Sequence, residues 1–145
     1  MRLTLPATAA AVPRARQEVR DALAALGMQR EHPVADTALI TLNELVTNCV
    51  QHAVVTSATF DIALAAHDGW LGLAVHDRHP YRPEALPEPH ADASGGWGLL
   101  LVRRLVAEAG GTISMPLDPD GGGKTVVVRL PLHAPGPPKS QLSDH

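Results

Sequence analysis

The stretch from Pro33 to Ala53, PVADTALITLNELVTNCVQHA, constrains this chain more than any other. Proline is at home in the first turn of a helix, where its missing N–H has no partner to lose. Ala38, Leu39, Leu42, Leu45, Val46, Cys49 and Val50 then recur at helical spacing and define one buried face. A second face carries Thr37, Thr41, Glu44, Asn48 and His52. Glu44 and Asn48 are four apart, so they stand one turn above each other and point the same way. A carboxylate and a carboxamide stacked like this present oxygen ligands to a hard cation such as Mg²⁺. The same residues also fit a solvated stripe on an amphipathic helix, and the helix alone does not choose between the two.

With 145 residues the chain has the length of one domain with a real core. Aromatics are only 3%, so that core must be built from Leu, Val and Ala. The net charge of −3 and the lack of a Lys/Arg cluster remove the electrostatic footprint of a nucleic-acid binder. Cys49, the single cysteine, excludes an internal disulfide and reads as a small core residue. No apolar run reaches the roughly 18 residues of a membrane span. The N-terminus MRLTLPATAA lacks the long apolar centre of a signal peptide. A cytoplasmic location with no membrane contact is expected.

Arg2 to Leu5 alternates like a short edge strand, and Val12 to Leu26 carries a helical apolar stripe that Gly27 ends. The second helix follows, from about Val34 to His52. Ala58–Ala66 and Trp70–Asp77 read as strands joined by His67-Asp68-Gly69, a hairpin turn. In the second of these strands Leu71, Leu73, Val75 and Asp77 share a face. Asp77 thus sits at the end of the apolar face, where an acid is costly unless something satisfies it. Residues 78–95 have no periodicity and four prolines, which marks a functional or mobile loop. Gly95-Gly96-Trp97-Gly98 opens directly into the helix LLLVRRLVAEAG. Thr112–Met115 and Lys124–Leu130 form a last strand pair, and residues 133–145 read as a disordered, Pro-rich tail after a domain spanning 1–132. The order β-α-α-β-β-loop-α-β-β predicts an α+β fold. Its architecture is a two-layer sandwich with the helices on one face of a mixed, mostly antiparallel sheet.

Three signals line up along the chain: Glu44-x-x-x-Asn48 on a helix, Asp77 at a strand end, and Gly96-x-Gly98 at a helix start. Free N–H groups and the helix dipole at such a start favour a phosphate. An acid for a base-edge amine, an amide for a cation and backbone N–H groups for phosphates together describe an Mg-nucleotide site.

In that order and spacing, NELVTNCVQHA, AVHD, GGWGLLLVRRL and GGGKTVVVRL resemble the motifs of the GHKL, or Bergerat-fold, ATP-binding superfamily. Within it, the chain looks like the stand-alone anti-sigma-factor serine/threonine kinases over roughly Leu3 to Leu132. The resemblance implies that Asn48 coordinates Mg²⁺ and that Glu44 is the general base for the attacking hydroxyl. It further implies that Asp77 accepts a hydrogen bond from the adenine amino group, that Gly96 and Gly98 line the phosphates, and that Thr125 completes the adenine site. His52, Trp97 and Leu99 are carried over as further cofactor contacts, Trp97 either stacking near the nucleotide or packing beneath the lid. Residues 78–95 correspond to that ATP lid. The implied cofactors are ATP and Mg²⁺. The implied partners are a STAS-type anti-sigma-factor antagonist, a sigma factor and a second copy of the chain.

One departure stands out. The family's acidic motif usually reads D-x-G-x-G, whereas Asp77-Arg78-His79-Pro80-Tyr81 has neither glycine, which bears on nucleotide affinity and lid geometry. Two other motifs fail. Gly121-Gly122-Gly123-Lys124-Thr125 has Asp118 where a P-loop needs its first glycine, and a strand follows where a helix should. His76-Asp77-Arg78-His79 puts neighbouring side chains on opposite sides of a strand, unlike a zinc site. The leading expectation is a protein kinase. The alternative is a catalytically inactive GHKL-fold interaction module that regulates a partner without phosphotransfer. The ATP-binding half of a histidine kinase fits less well, because no phospho-acceptor helical hairpin precedes the domain.

Overall fold

The structure is a computed structural model that describes residues 1–28, 32–56, 59–78 and 96–133, with the backbone alone described at 52–56 and 96–98. It contains β1 (Arg2–Pro6), α1 (Ala11–Ala25), α2 (Pro33–Thr56), β2 (Thr59–His67) and β3 (Trp70–Asp77). These are followed by α3 (Gly96–Glu108), β4 (Thr112–Ser114) and β5 (Lys124–Pro131). Element types and order are those the sequence predicts. The strands form one sheet in the order β1-β2-β3-β5-β4. Every pairing among the described residues is antiparallel, so the sheet is the antiparallel limit of the expected arrangement.

Local chemistry sets the boundaries. The β2–β3 hairpin closes at His67 opposite Trp70, and the two turn residues both take positive φ, 52° at Asp68 and 80° at Gly69. That is the primed turn whose twist matches a two-residue hairpin, and Asp-Gly suits it. At the end of α1, Gly27 has a φ of 89° and the Met28 N–H donates to the Leu23 carbonyl at 3.0 Å, a left-handed helix stop.

Strand alternation sorts the sheet into two faces. Phe60, Ile62 and Leu64 of β2, Leu71, Leu73 and Val75 of β3, and Val126, Val128 and Leu130 of β5 are all buried. The inward row at one end of the sheet runs Phe60, Asp77, Lys124 in register. Ala15, Val19 and Leu23 of α1, Ala38, Leu42 and Val46 of α2, and Val102 and Val106 of α3 complete the same core. Helix α2 packs against α1, α3 and the sheet. This narrows its polar stripe: Thr41, expected beside Glu44 on the polar face, is fully buried, and its hydroxyl has no hydrogen-bond partner among the described residues. Of the expected tail, residues 133–145, all but His133 lie outside the described residues. No helix among the described residues is long and apolar enough to cross a membrane.

Candidate functional site

Asp77 ends β3 on the inward face and is only 4% exposed. Its partners at that costly position include two described residues. Lys124, directly opposite on β5, places Nζ 3.0 Å from Oδ1 and 3.2 Å from Oδ2. Cys49 of α2 donates its S–H to Oδ2 at 3.1 Å. Burial, and then the charge of Asp77, push the Cys49 thiol's pKa well up, so it stays a protonated donor. Cys49 is therefore more than a core filler: it docks α2 on the strand end that carries the acid.

That contact positions the rest of the helix. Asn48 directly precedes Cys49, so it lies one residue's step from the Asp77 contact, with Glu44 one turn further toward the N-terminus. Both side chains are half-buried, and neither hydrogen-bonds to another described residue. His52 lies one turn on in α2, and its side chain is outside the described residues. Helix α3 begins at Gly96, as expected, so its first turn offers the N–H groups of Gly96, Trp97 and Gly98; the Trp97 side chain is again outside the description. Leu99 is placed in the hydrophobic core, so only its backbone can serve a ligand. The lid expected at 78–95 lies outside the described residues except for Arg78.

Thr125 is not brought to Asp77. It is register partner to His76 and lines a shallow groove of about 450 Å³ on the opposite face of the sheet, beside Arg2, Thr4, Asp61 and Ala74. The physical reason is strand parity: Val126, Val128 and Leu130 point inward, so Lys124 does too and Thr125 cannot. The residue that reaches Asp77 is Lys124, and the same alternation, run back two residues from Val126, would have identified it. Gly123 makes room for this. A Cβ there would lie 2.5 Å from the Asp77 carbonyl oxygen, so a glycine lets the chain pass close to the end of β3 as it enters β5.

On the open face a second ionic group ties the β4–β5 connection to the end of β3. His76 Nδ1 is 3.2 Å from Asp61 and Nε2 is 3.0 Å from Asp118. Arg78 pairs with Asp118 and, at 3.0 Å, with Asp120. Only a doubly protonated imidazole donates at both ring nitrogens. Partial burial opposes that charge and is the largest single influence, but the hydrogen bonds and charges of Asp118 and Asp61 together outweigh it, so the His76 pKa stands above its ordinary value. The sign follows: the stabilisation is full below the unfolded value of about 6.5 and is lost as pH rises through the raised folded value. We expect melting temperatures of the wild type to fall across that window relative to His76→Asn. Parallel pH profiles for the two proteins would contradict the assignment. Among the described residues no cluster of three or more His, Cys, Asp or Glu could hold a metal ion by itself.

The sandwich, the buried strand-end acid and the glycine-started helix beside a polar-faced helix define a GHKL-type ATP-binding domain. Residues 5–130 match the family described as the histidine kinase-like ATPase domain, and the chain belongs to that family. Membership carries ATP binding of the kinase or ATPase type in general. The histidine kinase domain of the blue-light activated histidine kinase of Erythrobacter litoralis EL346 superposes with a TM-score of 0.52 and 26% identity, over 69% of this chain and 45% of that one. The mycobacterial sensor histidine kinase MprB gives 0.54 and 19%, over 67% and 71%. Full-length ShkA, solved in complex with AMPPNP, gives 0.53 and 23%, over 72% and 23%. The chain spans less than half the length of the Erythrobacter domain, so the activities of such longer proteins are not thereby its own. None of the curated proteins matches the sequence.

Proposed function

We propose that this domain is an Mg-ATP-dependent protein serine/threonine kinase that phosphorylates a STAS-type anti-sigma-factor antagonist and sequesters a sigma factor. The observation that carries this reading is the placement of Glu44 and Asn48. They stand one turn apart on the helix that Cys49 docks against Asp77, half-buried and with no side-chain hydrogen bond to another described residue. Glu44 takes the proton of the attacking hydroxyl, a general-base role. The Asn48 carboxamide oxygen is the protein ligand that suits Mg²⁺, which takes few side chains and completes its shell with phosphate and water. Bound there, the ion supplies charge neutralisation at the phosphates. The N–H groups that open α3 receive phosphate oxygens, and Asp77 reads the base amine. The direct test is transfer of labelled γ-phosphate from ATP to a cognate STAS domain. Label on a serine or threonine supports the reading, and its absence despite tight ATP binding removes the kinase step.

A specific observation favours a second reading, a partner-binding module without phosphotransfer. Arg78 stands at the start of the lid where the usual motif heads toward glycine, and it is held by Asp118 and Asp120. Under this reading, a Glu44→Ala allele regulates the partner in cells as well as the wild type does.

A further inference from the structure

Lys124 takes the place at Asp77 where sequence reasoning expected Thr125, and the exchange changes what the site can recognise. A threonine offers one neutral hydroxyl. An ammonium is a compact positive charge with three donors and no acceptor. Here it stands beside both carboxylate oxygens, 3.0 and 3.2 Å away, 6% exposed, at the end of a strand with Gly123 behind it. Phe60, opposite Asp77 on β2, closes the other side of the row. Acceptor and donor thus sit next to each other in one rigid register, which suits a heterocycle edge bearing an adjacent donor and acceptor.

We propose that Lys124 is a specificity-determining residue of the nucleotide subsite and that it donates to ring nitrogen N1 of a 6-aminopurine while Asp77 accepts from the 6-amino group. The inference rests on the reading of Asp77 as the base-recognising acid. The exchange of partners is balanced. An arriving amine takes one Asp77 oxygen, and the donor that Lys124 had placed there turns to the neighbouring ring nitrogen. Among the described contacts of this pair, each donor and each acceptor keeps a partner. Cys49 continues to hold Oδ2 and fixes the carboxylate plane against α2. A base with the reverse order, acceptor at position 6 and donor at position 1, is refused. Its oxygen meets the Asp77 carboxylate, and its N–H meets the ammonium.

The test compares ATP with 1-deaza-ATP, which keeps the amino group and replaces N1 by C–H, on the intact wild-type protein by calorimetry. A hydrogen bond to a charged donor corresponds to about a tenfold to hundredfold weaker binding of the deaza analogue. Because the substitution is in the ligand, folding does not enter. In Lys124→Met, confirmed folded by circular dichroism, ATP weakens and the gap between the two ligands closes. Equal binding of both ligands by the wild type overturns the role of Lys124 and leaves ATP binding intact, as does a gap that survives in Lys124→Met. Failure of ATP itself to bind overturns the reading of the site and the proposal together.

Discussion

Asp77→Ala lowers the unfolding free energy by about 3–5 kcal/mol, the range for removing one side of a buried ion pair. The loss follows from geometry: Lys124 Nζ, almost fully buried, gives up both oxygens it contacts, and Cys49 gives up the acceptor of its thiol. For a domain of this size the change is a large part of the whole stability. The same physics makes the pair replaceable as a unit. Asp77→Leu with Lys124→Met is expected to recover most of the loss, because well-packed apolar side chains often match a buried ion pair. Urea unfolding of the two single variants and the double variant measures this. A double variant no more stable than the singles would show that the pair's strand register, and not its charge, is what the fold requires.

The second large effect falls on chemistry and spares the fold. On the kinase reading, Glu44→Ala slows phosphotransfer by about 10²- to 10⁴-fold, the usual contribution of a positioned general base. Glu44 is half-buried and contributes no hydrogen bond to another described residue, so stability changes by only about 0.5 kcal/mol or less. ATP affinity stays near the wild-type value, because the base acts on the attacking hydroxyl. Single-turnover transfer to a STAS substrate at saturating ATP reads the first effect, and a urea titration reads the second. Wild-type transfer by Glu44→Ala would move the base to another residue.

Much of this architecture was legible because periodicity is local. The switch from 3.6 to 2 and back located the described elements, and Asp68-Gly69 named its own turn. Strand parity also placed Asp77 on the inward face before any partner for it was known. Motif likeness points to Thr125, but alternation through Val126, Val128 and Leu130 assigns the inward place to Lys124. Thr41 was misplaced because a helix with neighbours on three sides has little surface to give to a polar stripe. The contacts of Cys49 with Asp77 and of His76 with Asp118 join residues 28 and 42 apart. Those separations are closed only by docking α2 on the sheet and by the path of the β4–β5 connection, and no local pattern reports either.

On the reading proposed above, the end of β3 and the middle of α2 form one Mg-ATP site. Titration of ATP by calorimetry, with and without Mg²⁺, on the wild type, Asp77→Asn and Asn48→Ala tests it most directly. Such a site gives Mg²⁺-dependent binding by the wild type, loss of binding in folded Asp77→Asn, and loss of the Mg²⁺ dependence in Asn48→Ala. A wild-type protein that binds no ATP even at millimolar concentration would contradict it.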